Sequence, residues 1–292
     1  MSHQLRSFVP GILFASQGSV CYNVQNVQMR EERQEMKSIV RSPSILVALC
    51  LVALITASAR ARIDEEAVMG CWLFEEGRGD TVEDSSGNER NAEFTGAHKW
   101  VDGKYDNAVE VAGTQVIVPG TEETFQLESY SLLAWIKAEH TGNFQGLIHK
   151  EQGGVSGRTF LMYLGTDGVP SGSMSQGGTN SDFKAKTQVT DEEWHHIALT
   201  FDAESKIATI YVNGIMEGTK NYPEERPQHN EVVKFNKTNF SGAIDEVLIT
   251  NTVMEEEDIQ EAMKGLKEFV SASAVKPSGK IALTWSAIKT EW

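Results

Sequence analysis

Trp194-His195-His196-Ile197-Ala198-Leu199-Thr200-Phe201, the loop Asp202-Ala203-Glu204-Ser205, and Lys206-Ile207-Ala208-Thr209-Ile210-Tyr211-Val212-Asn213-Gly214 follow one another without a break. In the first segment Ile197, Leu199 and Phe201 fall on one face and His196, Ala198 and Thr200 on the other, the period of two that an extended strand imposes. In the last, Ile207, Thr209 and Tyr211 oppose Ala208, Ile210 and Val212. The loop between them carries turn residues, so the two segments are expected to pair as a hairpin. Asn213-Gly214 predicts a type I′ turn, which needs positive φ at both central residues, and returns the chain into Ile215 to Thr219.

The same grammar extends outward in both directions. Gly70 to Phe74, Ala108 to Val111, Gln115 to Val118, Tyr130 to Lys137, Gly146 to Lys150, Thr159 to Leu164 and Gly242 to Thr250 are short apolar or alternating segments bounded by Gly, Asn, Asp or Ser. Many short strands without intervening helices point to a sandwich or barrel. One helix is expected at about Met254 to Lys264, where the apolar spacing turns helical. Glu255, Glu256, Glu257 and Asp258 open it, where the helix dipole favours anions, and Gly265 follows as a stop. The tail 267–292 reads as a loose end or an added edge strand at Lys280 to Trp285.

The N-terminal region reads differently. From Met36 a basic stretch, the apolar run Ile45 to Ile55 and Ala59-Arg60-Ala61 form the three parts of a secretory signal peptide, assigned to 36–61. The apolar run is about half of the roughly 20 residues a membrane span requires, so no stable span is expected after processing. Residues 1–35 carry no apolar period and are read as a non-structural extension, with translation expected to start at Met36. The product would be secreted, extracellular or periplasmic.

A formal net charge of -15 argues against nucleic acid as a partner, because phosphate binding needs clustered Lys and Arg. Of the three cysteines, Cys21 and Cys50 lie in the region expected to be lost, which leaves Cys71 without a disulfide partner and without a zinc-ligand spacing.

Five ordered motifs carry a resemblance: Gly70-Cys71-Trp72-Leu73-Phe74-Glu75-Glu76-Gly77, Asp84-Ser85-Ser86-Gly87-Asn88, Trp194-His195-His196-Ile197-Ala198, Tyr211-Val212-Asn213-Gly214 and Gly242-Ala243-Ile244-Asp245-Glu246-Val247. Over about 65–266 the chain resembles the laminin-G-like (concanavalin A-like) jellyroll family of the bacterial secreted type. The resemblance implies an all-β, two-sheet antiparallel jellyroll sandwich with one short C-terminal helix, often with a structural calcium ion. It also implies recognition of glycans or extracellular proteins without catalysis. The family's frequent disulfide is absent here.

Calcium takes hard oxygen ligands, and on that ground Asp84, Asn88 and Asp245 are the metal candidates. Asp245 and Glu246 are adjacent, so they face opposite sides unless a bulge intervenes. His195 and His196 are likewise sent to opposite faces and read as ordinary strand residues. Trp72, Trp135 and Trp194 sit inside strand motifs and are assigned to the core. Trp100, beside Lys99 and Asp102-Gly103 in loop-like surroundings, is the candidate ligand contact. Glu256-x-Asp258-x-x-Glu261 matches a glycoside hydrolase string, but its helical surroundings put Glu256 and Asp258 on different sides of an axis. No catalytic residue is therefore assigned. The expected function is a secreted carbohydrate-binding module, with surface adhesion through a protein partner as the alternative and a polysaccharide hydrolase third.

Overall fold

The computed structural model describes residues 63–153, 156–237 and 239–273. The signal segment, Cys21, Cys50 and the strand expected at Lys280 to Trp285 lie outside the described residues. After a 3-10 turn at Glu65–Ala67, the first strands are β1 (Val68–Trp72), β2 (Thr81–Val82), β3 (Ala92–Phe94), β4 (His98–Asp102), β5 (Asn107–Ala112), β6 (Val116–Val118), β7 (Tyr130–Ala138) and β8 (Gln145–Glu151). They are followed by β9 (Arg158–Leu164), β10 (Pro170–Gln176), β11 (Thr179–Lys184), β12 (Trp194–Asp202), β13 (Ile207–Val212), β14 (Ile215–Asn221), β15 (Val233–Phe235) and β16 (Ser241–Thr250). Two helices close the described chain, α1 (Glu256–Ala262) and α2 (Leu266–Ser273).

The strands form two antiparallel sheets of eight among the described residues. Sheet A runs β14-β13-β12-β7-β16-β5-β4, with β1 pairing β16; sheet B runs β11-β10-β9-β8-β15-β6-β3-β2. The hairpin expected between β12 and β13 is present, with Asp202 opposite Ile207. Asn213 and Gly214 have φ of 51° and 76°, as a type I′ turn requires.

Alternation decides what is buried. Ile197, Leu199, Phe201, Ala208, Ile210 and Val212 enter the core between the sheets, where they meet Phe160, Met162, Leu164, Val233 and Phe235 of sheet B. The opposite set from sheet A is not all solvated. Leu133, Ala198, Tyr211 and Leu248 form a second core with Met254 just before α1, with Ile259, Leu266 and Phe269 of the two helices and with Cys71 of β1. The second helix, α2, was not expected from the sequence. Leu266, Phe269 and Val270 recur at the i, i+3, i+4 spacing that lays one helical stripe on the sheet.

Two polar groups are sealed in this framework. Lys150 of β8 is fully buried, and its Nζ donates to the carbonyls of Thr121 at 3.0 Å and Glu122 at 2.5 Å; burial lowers its pKa to about 8. His196 is buried against Trp135 on the outward side of sheet A, with ring centroids 5.3 Å apart, and burial lowers its pKa to about 3 from 6.5. Among the described residues no helix is long and apolar enough to cross a membrane.

The neutral His196 makes stability pH-dependent in a defined direction. An unfolded imidazole gains its proton near 6.5, whereas the folded one refuses it until about 3. Stability from this group is complete above about 6.5 and is lost on acidification toward 3, by at most about 1.4 kcal/mol per pH unit. His196→Phe should therefore lose less stability than the parent between pH 7 and pH 4.5. Urea titrations at the two pH values measure this, and parallel losses in the two proteins would contradict it.

Candidate functional site

The turn Asp84-Ser85-Ser86-Gly87-Asn88 follows β2 and folds against β1. Asp84 Oδ1 accepts the N–H of Cys71 and that of Ser86, each at 3.0 Å, and its Oδ2 accepts the N–H of Arg90 at 3.0 Å. Asn88 Nδ2 donates to the carbonyl of Val68 at 2.9 Å and to Ser86 Oγ at 2.9 Å. Gly87 supplies the positive φ, 83°, that the tight turn demands.

Asp245 lies on β16. It pairs with Trp135 of β7, and its Oδ2 accepts the N–H groups of Lys104 and Tyr105 at 2.9 and 3.1 Å, fastening the β4–β5 loop to the sheet. The carboxylates of Asp84 and Asp245 share no hydrogen-bond partner. Asp245 is fully buried and its Oδ1 has no partner, and burial pushes its pKa up to about 8. A bulge does intervene at this point: the register of β16 against β7 slips between Asp245 and Leu248, and Glu246 has φ of 47°. Glu246 consequently turns toward the helices, where its Oε2 accepts the N–H of Leu266 at 2.8 Å and burial raises its pKa to about 7. Among the described residues no group of three or more His, Cys, Asp or Glu gathers as metal ligands would.

The tryptophans divide differently from the sequence reading. Trp72 and Trp135 are buried as expected. Trp100 is in strand β4 rather than in a loop; it is half-buried against Phe94, and its Nε1 donates to the carbonyl of Gly79 at 3.1 Å. Trp194, assigned to the core, is instead half-buried at the first position of β12, on the outward side of sheet A. His195 and His196 do face opposite ways, the former to Asp191 at 3.0 Å and the latter to Trp135. Glu256, Asp258 and Glu261 lie on helix α1, where Glu256 accepts the N–H of Met216 and Glu261 pairs with Lys264. They do not line one face of a strand inside a cleft.

The outward face of sheet B carries polar groups that the sequence reading missed. One row of registered residues crosses seven strands: Asp182, Ser173, Leu161, His149, Lys234, Ile117 and Glu93. Along β10, Ser171, Ser173 and Ser175 alternate with inward Gly172 and Met174 and are buried, so they floor a narrow trough. Gly172 is required there, since a Cβ would come within 2.6 Å of Phe183 and 2.8 Å of Leu199. Arg158 lies over the floor, with Nη1 donating to Ser173 Oγ at 2.7 Å and to Asp182 at 2.9 Å, and Nε 3.5 Å from Glu151. Lys237 pairs with Glu151 from the other side, and Lys184 pairs with Asp167 at 2.9 Å on the rim. Phe144 and Tyr163 stack at 4.5 Å at the end of the trough, both half-buried. The face thus combines fixed donors, fixed acceptors and a flat aromatic pair, with cations and carboxylates in balance.

Two face-to-face antiparallel sheets with this strand order, closed by a helix after the last strand, define a jellyroll β-sandwich. The chain belongs to the concanavalin A-like lectin/glucanases superfamily, whose laminin-G model matches residues 110–260. Among solved structures it is similar to the binding domain of Paraclostridial Mosquitocidal Protein 1, at 17% identity and TM-score 0.57 over 68% of this chain and 52% of that one. It is similar to the receptor binding domain of botulinum neurotoxin mosaic serotype C/D, at 14% identity and TM-score 0.56 over 70% of this chain and 52% of that one. The third similarity is to Domain 4 of AbnA, a GH43 extracellular arabinanase from Geobacillus stearothermophilus in complex with arabinotriose. That match has 18% identity and TM-score 0.54 over 67% of this chain and 97% of the domain. The chain spans about half the length of the toxin domains it matches. A comparison with curated proteins returns no match.

The three N–H groups that converge on Asp84 give it a measurable weight. Hydrogen bonds to a charged acceptor are each worth about 1.5–3 kcal/mol, discounted here because Asp84 is only half-buried. Asp84→Ala should lower unfolding free energy by about 2 kcal/mol in a urea titration, and a loss under about 0.5 kcal/mol would deny the turn this role.

Proposed function

We propose that the protein is an exported, non-catalytic binding module that recognises a carbohydrate on the open face of sheet B. The observation that carries this reading is the trough of Ser171, Ser173 and Ser175 beneath Arg158. Its guanidinium is already held between Ser173 and Asp182, so a planar fork of donors stands beside a fixed carboxylate. Sugar hydroxyls are met by such paired donors and acceptors, and the apolar face of a sugar ring by aromatics like the adjacent Tyr163 and Phe144. The arabinotriose complex of the AbnA domain supports a glycan ligand for this fold. The signal-like segment 36–61 supports export.

The test is a glycan array read with the parent and with Asp182→Asn and Tyr163→Ala. Asp182 is exposed and Tyr163 half-buried, so neither change should unfold the sandwich. The expected result is retention of at least one polysaccharide class by the parent, weakened about tenfold or more in both variants, which corresponds to about 1.4 kcal/mol. Silence across the array together with capture of an extracellular protein would replace this reading with adhesion. Reducing-sugar release would replace it with hydrolysis.

We further propose that Asp245 contributes to a structural calcium site. The orphaned, buried Oδ1 is what favours it: a bound cation would occupy that oxygen and hold the carboxyl ionised against the effect of burial. Asp84 and Asn88, the other candidates, already serve the turn before β3 through their own hydrogen bonds. Removing calcium with a chelator should lower the melting temperature by several degrees at neutral pH, and Asp245→Ala should abolish the response. A midpoint indifferent to chelator would end the proposal.

A further inference from the structure

The helices and β1 cover only one end of the outward face of sheet A; the other end is open. There a second registered row crosses the sheet: Trp194 of β12, Lys137 of β7, Ala243 of β16, Glu110 of β5 and Lys99 of β4. Strands stand about 4.8 Å apart, so Lys137 and Glu110 flank a gap of about 10 Å that holds only the Ala243 methyl and Gly242. Gly242, with φ of 143°, admits no side chain, because a Cβ would lie 2.2 Å from the carbonyl oxygen of Lys137. The result is a groove of about 340 Å³ with Trp194 on one wall and Val101 and Glu110 on the other. That volume is at the small end of ligand pockets, enough for one or two sugar rings.

Its charge is lopsided. Asp102, Glu110, Glu139 and Glu192 line it with Lys137, and Lys99 stands beyond Glu110 at the end of the row. Glu139 accepts a hydrogen bond from Ser241 Oγ at 2.7 Å, whereas Asp102, Glu110 and Glu192 make no ion pair among the described residues. Glu192 is fixed at the rim by the bond from its N–H to the carbonyl of Ala138 at 3.2 Å. Trp194 has no aromatic ring or cation of the protein lying on its indole, among the described residues. An indole wall ringed by carboxylates suits a cation with an apolar face. The strands beneath, β12, β7, β16 and β5, are all paired on both sides, so an extended peptide would find no free backbone groups to bind. A sugar ring, whose polar groups all point outward around an apolar face, needs none.

We propose that this groove is a second ligand site, independent of the serine trough, that binds amine-bearing sugar units such as those of a glucosamine polymer. The ring lies on Trp194 and the protonated amine pairs with Glu110 or Glu192. Net charge of -15 draws such a polycation to the surface.

Titration calorimetry with a glucosamine trisaccharide and its fully N-acetylated counterpart tests the assignment. Expected are binding of the free amine form alone, weakening by about tenfold or more from low to high salt, and losses of similar size in Trp194→Ala and Glu110→Gln. Glu110 is exposed and its amide variant keeps the fold even if the tryptophan variant does not. Asp182→Asn, on the other sheet, should bind as the parent does. Equal affinity for the acetylated sugar, no binding at all, unchanged affinity in Glu110→Gln, or loss in Asp182→Asn would each overturn the proposal.

Discussion

Neither sheet is stable without the other, because the inward side chains of the central strands are apolar and have only the facing sheet to cover them. Ile197, Leu199 and Ile244 from one side and Phe160, Met162 and Phe235 from the other are withdrawn from water only in this one stacking. A slip of one residue in any central strand would send its apolar set outward, so this burial also fixes register. Everything placed on the outward faces, including the serine trough and the groove beside Trp194, inherits its spacing from that constraint.

At Glu246 the constraint is broken locally. The extra residue in β16 lets Asp245 and Glu246 both serve the covered side of sheet A, one fastening the β4–β5 loop and the other the start of α2. Val247 still reaches the core between the sheets and Leu248 the second core, so the bulge costs no apolar contact. Two carboxyl groups thereby organise the parts of the chain that are not sheet.

Most of the framework was legible in the sequence for a simple reason: strands that bury one face must alternate, and β12, β13, β7 and β16 do so with large apolar residues. The hairpins were legible because positive φ restricts the turn to residues such as Asn213 and Gly214. The short strands β2, β3, β4 and β15 were not read, and neither were β10 and β11, where Pro170-Ser171-Gly172-Ser173-Met174-Ser175-Gln176 looks like a loop. Its outward residues are serines, and the space inward of Gly172 is filled by Phe183 and Leu199, so the expected apolar signal is absent. The only trace was a serine at every second position. Trp194 was misplaced because a strand motif says which residues alternate, not how far the covering layer extends. At its end of β12 that layer has run out.

Lys150 has a use that comes from its enclosure. Its amine is capped by two carbonyls inside a fully buried setting, so a water-borne acylating reagent can reach it only when the rim of the sandwich parts. Burial lowers its pKa to about 8 only while it is enclosed, since release into water removes the cause. The extent of labelling at this one position therefore records how often the folded molecule opens, without any added probe.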